Sequence, residues 1–314
     1  MRLFHSDVSD AAVLIFGCGL IGSAVQRAML WKSPWAVKSY WFPWDADASR
    51  ERRQQLEIAM TDLAKLAPDA ATAVHIVWSA GHAGFSATEQ QTQCELNSFR
   101  QVVEFSEALR MQVGVASHLH MMSSAGGLFE GVRGINSGTE CCPARPYGEL
   151  KAAQEAIAVA ANTTTCSIYR PSSVYSTVQP GQRCGLIPTM IWNTLRNQVT
   201  SIYGRHDTLR DYIWADDIGN FVAARIDGSA ALTDRQVFLL ATGIPTPISR
   251  IIRVIEEVLM RPVSVQFVRS SSGNDLDITF SPSSLPQGLA KTNLATAIRK
   301  TYLQLMNDGI VSRR

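Results

Sequence analysis

The chain has 314 residues, 46% of them hydrophobic and 18% charged, with a formal net charge of +2. That is enough chain and apolar surface for one large or two smaller packed domains. So weak a charge, with no long Lys/Arg block, excludes a duplex-DNA footprint and a polybasic membrane anchor. Six Cys without a C-x-x-C suggest no metal site and no disulfide scaffold, and a cytoplasmic location is expected. The run "AAVLIFGCGLIGSAV" is interrupted by glycines and too short to span a bilayer, and the N-terminus does not read as a signal peptide, so no membrane partner is expected.

No element is predicted for "MRLFHSDVSD". The first patterned segment is "AAVLIF", then "GCGLIGS", then "AVQRAMLWK": a buried strand, a glycine turn and a helix. Gly17, Gly19 and Gly22 fit G-x-G-x-x-G in the setting where that spacing has a mechanism. Gly17 permits the tight turn, Gly19 lets the backbone approach a pyrophosphate, and Gly22 lets helix and strand pack closely. The helix start around Leu20 and Ile21 supplies unpaired N–H groups, so a dinucleotide is favoured over a turn without a ligand. "AVKSYWF" is a second strand, and "ASRERRQQLEIAMTDLAKL" has apolar residues at helical spacing. Between them, Asp45 is the candidate for the ribose hydroxyls, while Arg50, Arg52 and Arg53 offer charge for a 2′-phosphate; NAD against NADP stays open.

"AVHIVWSAG" is a further strand, "CELNSFRQVVEFSEALRM" a helix, "GVASHLHMMSSAGG" a strand and Ser/Gly loop, and "YGELKAAQEAIAVAA" a helix. "TTCSIYRPSSVY" is another strand and loop. The alternation predicts an α/β fold: a doubly wound, parallel, Rossmann-type sheet. After the Pro/Gly/Gln-rich "STVQPGQRCGLIP" the elements shorten, and a smaller C-terminal region is expected. Tyr147 and Lys151, four residues apart, share a helix face. By itself that spacing also fits a solvated surface.

Glycine turn, Y-x-x-x-K, "SSAGG", "RPSSVY", "IYGRHDTLRDYIWADDI" and "VFLLATGIPTPISRIIRVIEEVL" occur in this order over nearly the whole chain. Together they resemble the extended short-chain dehydrogenase/reductases of the NAD-dependent epimerase/dehydratase family. The resemblance implies an NAD(P)-binding Rossmann domain over residues 1–170, with segments near 211–242 returning to it, and a mainly substrate-binding region over 171–314. It makes Tyr147 the catalytic base and Lys151 the residue that binds the nicotinamide ribose and favours the phenolate. Ser124 matches the hydroxyl on the reacting oxygen, with Ser123 as alternate. Ala80, Gly81 and Pro171 fall beside the cofactor, and Asn97 matches an asparagine that supports the site. Arg210 matches the arginine that grips a nucleotide-sugar diphosphate, with Ser173 and Tyr203 also on the substrate.

The chain departs from the family at Phe16, in place of a first glycine, at Ser173 and Ser176, in place of Asn and Gly, and between Leu66 and Ala73, where the family's third strand is hard to trace. Family members that eliminate water carry Asp-Glu after the catalytic hydroxyl, where this chain has Ala125 and Gly126. The resemblance therefore implies an oxidoreductase or epimerase of a nucleotide-activated sugar, epimerisation against reduction staying open, with carbonyl reduction of a non-nucleotide substrate or a non-catalytic nucleotide-binding scaffold as alternatives. It also implies a homodimer joined through the helices of residues 94–111 and 147–161 in a four-helix interface.

Overall fold

The computed structural model describes residues 1–6, 11–44, 48–66, 73–81, 83–84, 86–115, 117–161, 165–176, 185–228, 235–268 and 275–307. The first half of the chain runs β1 (Arg2–Ser6), β2 (Ala11–Phe16), α1 (Leu20–Lys32), β3 (Ala36–Ser39), α2 (Ser49–Leu66), β4 (Ala73–Trp78), α3 (Glu89–Ala108), β5 (Ser117–Met122), α4 (Ala125–Leu128), α5 (Pro146–Ala160) and β6 (Thr165–Pro171). The second runs β7 (Ser173–Tyr175), α6 (Leu186–Leu195), β8 (Thr200–Tyr203), β9 (Leu209–Arg210), β10 (Tyr212–Trp214), α7 (Ala215–Asp227), β11 (Gln236–Leu240), β12 (Thr246–Pro247), α8 (Ile248–Leu259), β13 (Val265–Val268) and α9 (Leu294–Asn307).

Seven strands form one sheet in the order β11-β6-β5-β4-β2-β1-β3. The run β2, β4, β5, β6 is parallel throughout, and the strands are helix-linked, so the fold is of the Rossmann type. The second predicted strand, β3, does not lie beside β2, because β1 sits between them and is antiparallel to both. Leu3 and Phe4 are buried, which rewards the insertion. With only residues 7–10 between β1 and β2, a parallel pairing, which needs a crossover of a dozen or so residues, is out of reach.

The two faces of this sheet follow from side-chain alternation along each strand. Val74, Ile76 and Trp78 of β4, Leu119 and Met121 of β5 and Cys166 and Ile168 of β6 enter an apolar core with Leu56, Leu63, Phe99 and Val102 of α2 and α3. The intervening residues place His75, His118 and His120 on the other face. There His75 Nδ1 lies 3.0 Å from His120 Nε2, and His120 Nδ1 lies 2.9 Å from the Tyr169 hydroxyl. His118 meets Thr165 and Ser167 at 2.7 and 2.9 Å.

The chain divides into two compact units. The first comprises Met1–Leu128, Cys141–Arg170 and Gly219–Phe238; the second comprises Phe129–Glu140, Pro171–Ile218 and Leu239–Arg314. In the second unit β7 pairs with β10 and β8 with β13, both parallel, and β9 pairs antiparallel with β12. Its core is built by Ile187, Met190 and Ile191 of α6, Ile251, Val254 and Ile255 of α8, and Ala297 and Ile298 of α9. Among the described residues no helix is long and apolar enough to cross a membrane.

Candidate active site

The glycine turn leads from β2 into α1. Gly17 has φ +86°, and a Cβ there would come within 2.5 Å of the Ala80 backbone, so neither its conformation nor its surroundings admit a side chain. Ser79, which the sequence reading passed over, fastens the turn: its hydroxyl donates to the carbonyls of Phe16 and Gly17 at 3.0 and 2.7 Å. A Cβ on Gly22 would lie 1.9 Å from the Gly17 carbonyl oxygen, which is the close helix packing expected of it. Above Gly19 the situation reverses: nothing lies within 4 Å of where its Cβ would be. No side chain caps α1. The turn is thus open above Gly19 and its helix start is uncapped by a side chain, and this cradle fits a pyrophosphate.

Ala80 is buried against the turn and Gly81 follows it at the surface, so β4 brings both to the position expected of them. Phe16 is a core residue, its ring 5.1 Å from Phe42 and 6.0 Å from Trp78. Asp45 lies outside the described residues. Arg52 is 2% exposed and committed within the fold, with Nε donating to Gln101 Oε1 at 2.7 Å, whereas Arg50 and Arg53 are exposed.

Helix α5 begins at Pro146, a residue suited to a first helical position, and Tyr147 follows in the first turn. Tyr147 is half-buried, and Lys151 Nζ lies 5.7 Å from its ring centroid. A Cβ on Gly127 would come within 3.0 Å of the Tyr147 ring, so a small residue in α4 leaves the phenol its place. The ammonium is buried. It donates to Gln154 Oε1 at 2.9 Å and pairs with Glu95 Oε1 at 3.2 Å, while Glu95 Oε2 accepts the Ala83 amide at 3.2 Å. The support from α3 thus comes from Glu95, which sequence reasoning missed. Asn97 is exposed on the outer side of α3, where Gln93 and Arg100 donate to it.

The two serines differ. Ser123 is buried and donates to Glu155 Oε1 at 2.5 Å, a carboxylate also held by Arg170 at 2.9 and 2.6 Å. Ser124 is half-buried, and its hydroxyl accepts the Gly127 amide at 3.2 Å.

In the second unit Pro171 ends β6, and Ser173 opens β7, its amide bound to the Asp211 carbonyl at 3.0 Å. Ser176 is buried. Tyr203, at the end of β8, is 56% exposed. Arg210 in β9 donates to the Leu276 carbonyl. Leu276 and Leu209 line a cavity of about 510 Å³ with Arg133, Arg205, Thr208 and Asp277. Asp207 pairs with Arg205 at 2.5 Å. Asp211 is 1% exposed and accepts from the Ser172 hydroxyl at 2.8 Å, the Thr242 amide and hydroxyl at 2.9 and 2.8 Å, and the Gly243 and Ile244 amides at 2.7 and 3.1 Å.

Sheet, glycine turn and helix N-terminus define a Rossmann-type nucleotide-binding protein. The profile of the NAD dependent epimerase/dehydratase family matches residues 13–240, and the chain belongs to that family. Its cofactor is accordingly NAD(P). No curated protein matches the chain. Among solved structures it is similar to the UDP-glucuronic acid 4-epimerase of Bacillus cereus, in complex with UDP-glucuronic acid and NAD, at 18% identity and TM-score 0.72 over 94% of this chain and 99% of that one. It is also similar to the UDP-glucose 4-epimerase of Thermus thermophilus with NAD, at 17% identity and TM-score 0.70 over 94% and 98%. A third is the UDP-glucose-4-epimerase of Stenotrophomonas maltophila, with NAD and formylated UDP-arabinopyranose, at 15% identity and TM-score 0.74 over 95% and 99%. At these identities the likeness is one of fold.

Proposed function

We propose that the chain epimerises a nucleotide-activated sugar, with Tyr147 as the acid/base. The observation that carries this is the Tyr147–Lys151 pair on α5, with the ammonium 5.7 Å from the phenol ring, in the same unit as the glycine turn. When bound, the nicotinamide accepts and returns a hydride at carbon. Tyr147 takes the proton of the sugar hydroxyl as the hydride leaves and gives it back when the hydride returns to the other face. Lys151 supports it by placing its side-chain nitrogen 5.7 Å from the centre of the phenol ring. Ser124 hydrogen-bonds the reacting oxygen; Ser123, already held by Glu155, keeps the loop in place. Ala125 and Gly126 supply no acid or base for elimination, which favours epimerisation over dehydration.

The first unit takes the cofactor in this reading. Arg210, Ser173 and Tyr203 of the second meet the nucleotide sugar, Arg210 through its diphosphate, a task suited to a planar, permanently charged fork. The similar solved structures, two of them with UDP-sugars, support that substrate class. A cytoplasmic homodimer joined through α3 and α5 completes the proposal.

The test is a panel of nucleotide sugars incubated with NAD or NADP and read by NMR for inverted sugar stereochemistry. Tyr147→Phe should retain cofactor binding and lower turnover at least ~10²-fold, the scale of a lost general acid/base. Inversion at near-normal rate in that variant would remove Tyr147 from the chemistry.

A further inference from the structure

We propose that Arg2 selects the phosphorylated form of the cofactor by binding the 2′-phosphate of its adenosine ribose. The proposal rests on the dinucleotide reading above. In doubly wound sheets the ribose is read beside the end of the strand that enters the glycine turn, by an acid where the 2′-hydroxyl is free and by a nearby Arg where it is phosphorylated. In this chain the strand next to β2 is β1, and because β1 is antiparallel, its amino end lies level with the carboxyl end of β2. Arg2 pairs with Ile15, immediately before Phe16 and Gly17. The strand expected to bring an acid there has moved one place outward: Ser39 of β3 lies across from Arg2, and from Ser39 through Trp44 the chain has no carboxylate. Among the described residues, the guanidinium of Arg2 comes level with the carboxyl end of β2, while Asp45 lies outside them.

The side chain is tied to the turn. Arg2 Nη1 donates to Gln26 Oε1 at 2.7 Å, and Nε2 of the same amide donates to Cys18 Sγ at 3.0 Å, between Gly17 and Gly19. Gln26 is 5% exposed and so a fixed support, whereas Arg2 is at the surface. A neutral amide orients the guanidinium without neutralising it, which leaves its charge for an anion. A phosphate monoester matches the fork of donors better than a hydroxyl does. Of the arginines after β3, Arg52 is spent on Gln101; Arg53, exposed on α2, serves as the control.

The experiment measures the dissociation constants of NAD and NADP by calorimetry for wild type, Arg2→Ala, Arg2→Lys and Arg53→Ala, with thermal melting to show that each variant folds. Wild type should bind NADP at least ~10-fold tighter than NAD. Arg2→Ala should weaken NADP at least ~10-fold and leave NAD within about 2-fold, the size of one charge-assisted phosphate contact. Arg2→Lys should keep part of the preference, and Arg53→Ala all of it. Equal affinities or an NAD preference in wild type would overturn the proposal, as would a preference that survives Arg2→Ala or one that Arg53→Ala abolishes. These outcomes leave the dinucleotide site standing. Binding of neither form to wild type would overturn the site and the proposal together.

Discussion

Glu95 and Lys151 form a buried ion pair at 3.2 Å. The two side chains are 6% and 5% exposed, and an ammonium withdrawn from water without a counter-charge is costly. Glu95→Ala should therefore destabilise the protein by about 3–5 kcal/mol, the usual range for one partner removed from a buried pair. Glu95→Gln, which keeps an acceptor for Nζ, should cost less. Urea denaturation of both variants checks this, and a loss below about 1 kcal/mol in Glu95→Ala would show that Lys151 finds other partners. The Y-x-x-x-K and the glycine turn were legible in the sequence because each is local: four residues fix a helix face, and three glycines a turn. Glu95 was not. Its partner is 56 positions away, and whether Glu95 or Asn97 faces Lys151 depends on how α3 is rotated against α5, which sequence spacing leaves open.

At the scale of elements, the strands carry a consequence for acid stability. His75, His118 and His120 face one another from β4 and β5, with Tyr169 of β6 and Arg225 and Asp227 of α7 as the other ionisable groups around them. Burial pushes His75 down to about 4 and His118 down to about 3, and holds His120 well below its ordinary value. The unfolded chain takes up protons near pH 6.5 that the folded sheet refuses. Stability is therefore complete above that pH and falls as the solution is acidified, continuing down to about pH 4 for His75. At pH 5 the loss should be up to about 2 kcal/mol for each histidine that stays neutral. Urea midpoints at pH 7.5 and pH 5.0 measure it, and coincident midpoints would contradict it. The parallel strands were legible as apolar runs, histidines included. β1 was not, since "RLFHS" has only two large apolar residues in succession and reads as a strand only once β2 and β3 are there to flank it.

For the whole molecule, alternating strands and helices identify the α/β class from the sequence alone, because period and order are properties of the chain itself. Assembly is a different matter. The proposed homodimer requires α3 and α5 of one copy to pack on those of another; light scattering at micromolar concentration should give twice the chain mass, and a monomer there would remove the four-helix interface from the proposal. The Asp211 carboxylate of the second unit bears on motion. It is acceptor-only, and its five donors come from Ser172, just after β6, and from Thr242, Gly243 and Ile244, just after β11. To exchange its hydrogen with solvent, any one of those three amides must first leave an oxygen that also holds other donors. Solvent exchange at these three neighbouring amides is therefore slowed by one shared carboxylate, and the segment after β11 opens on the clock that the carboxylate sets.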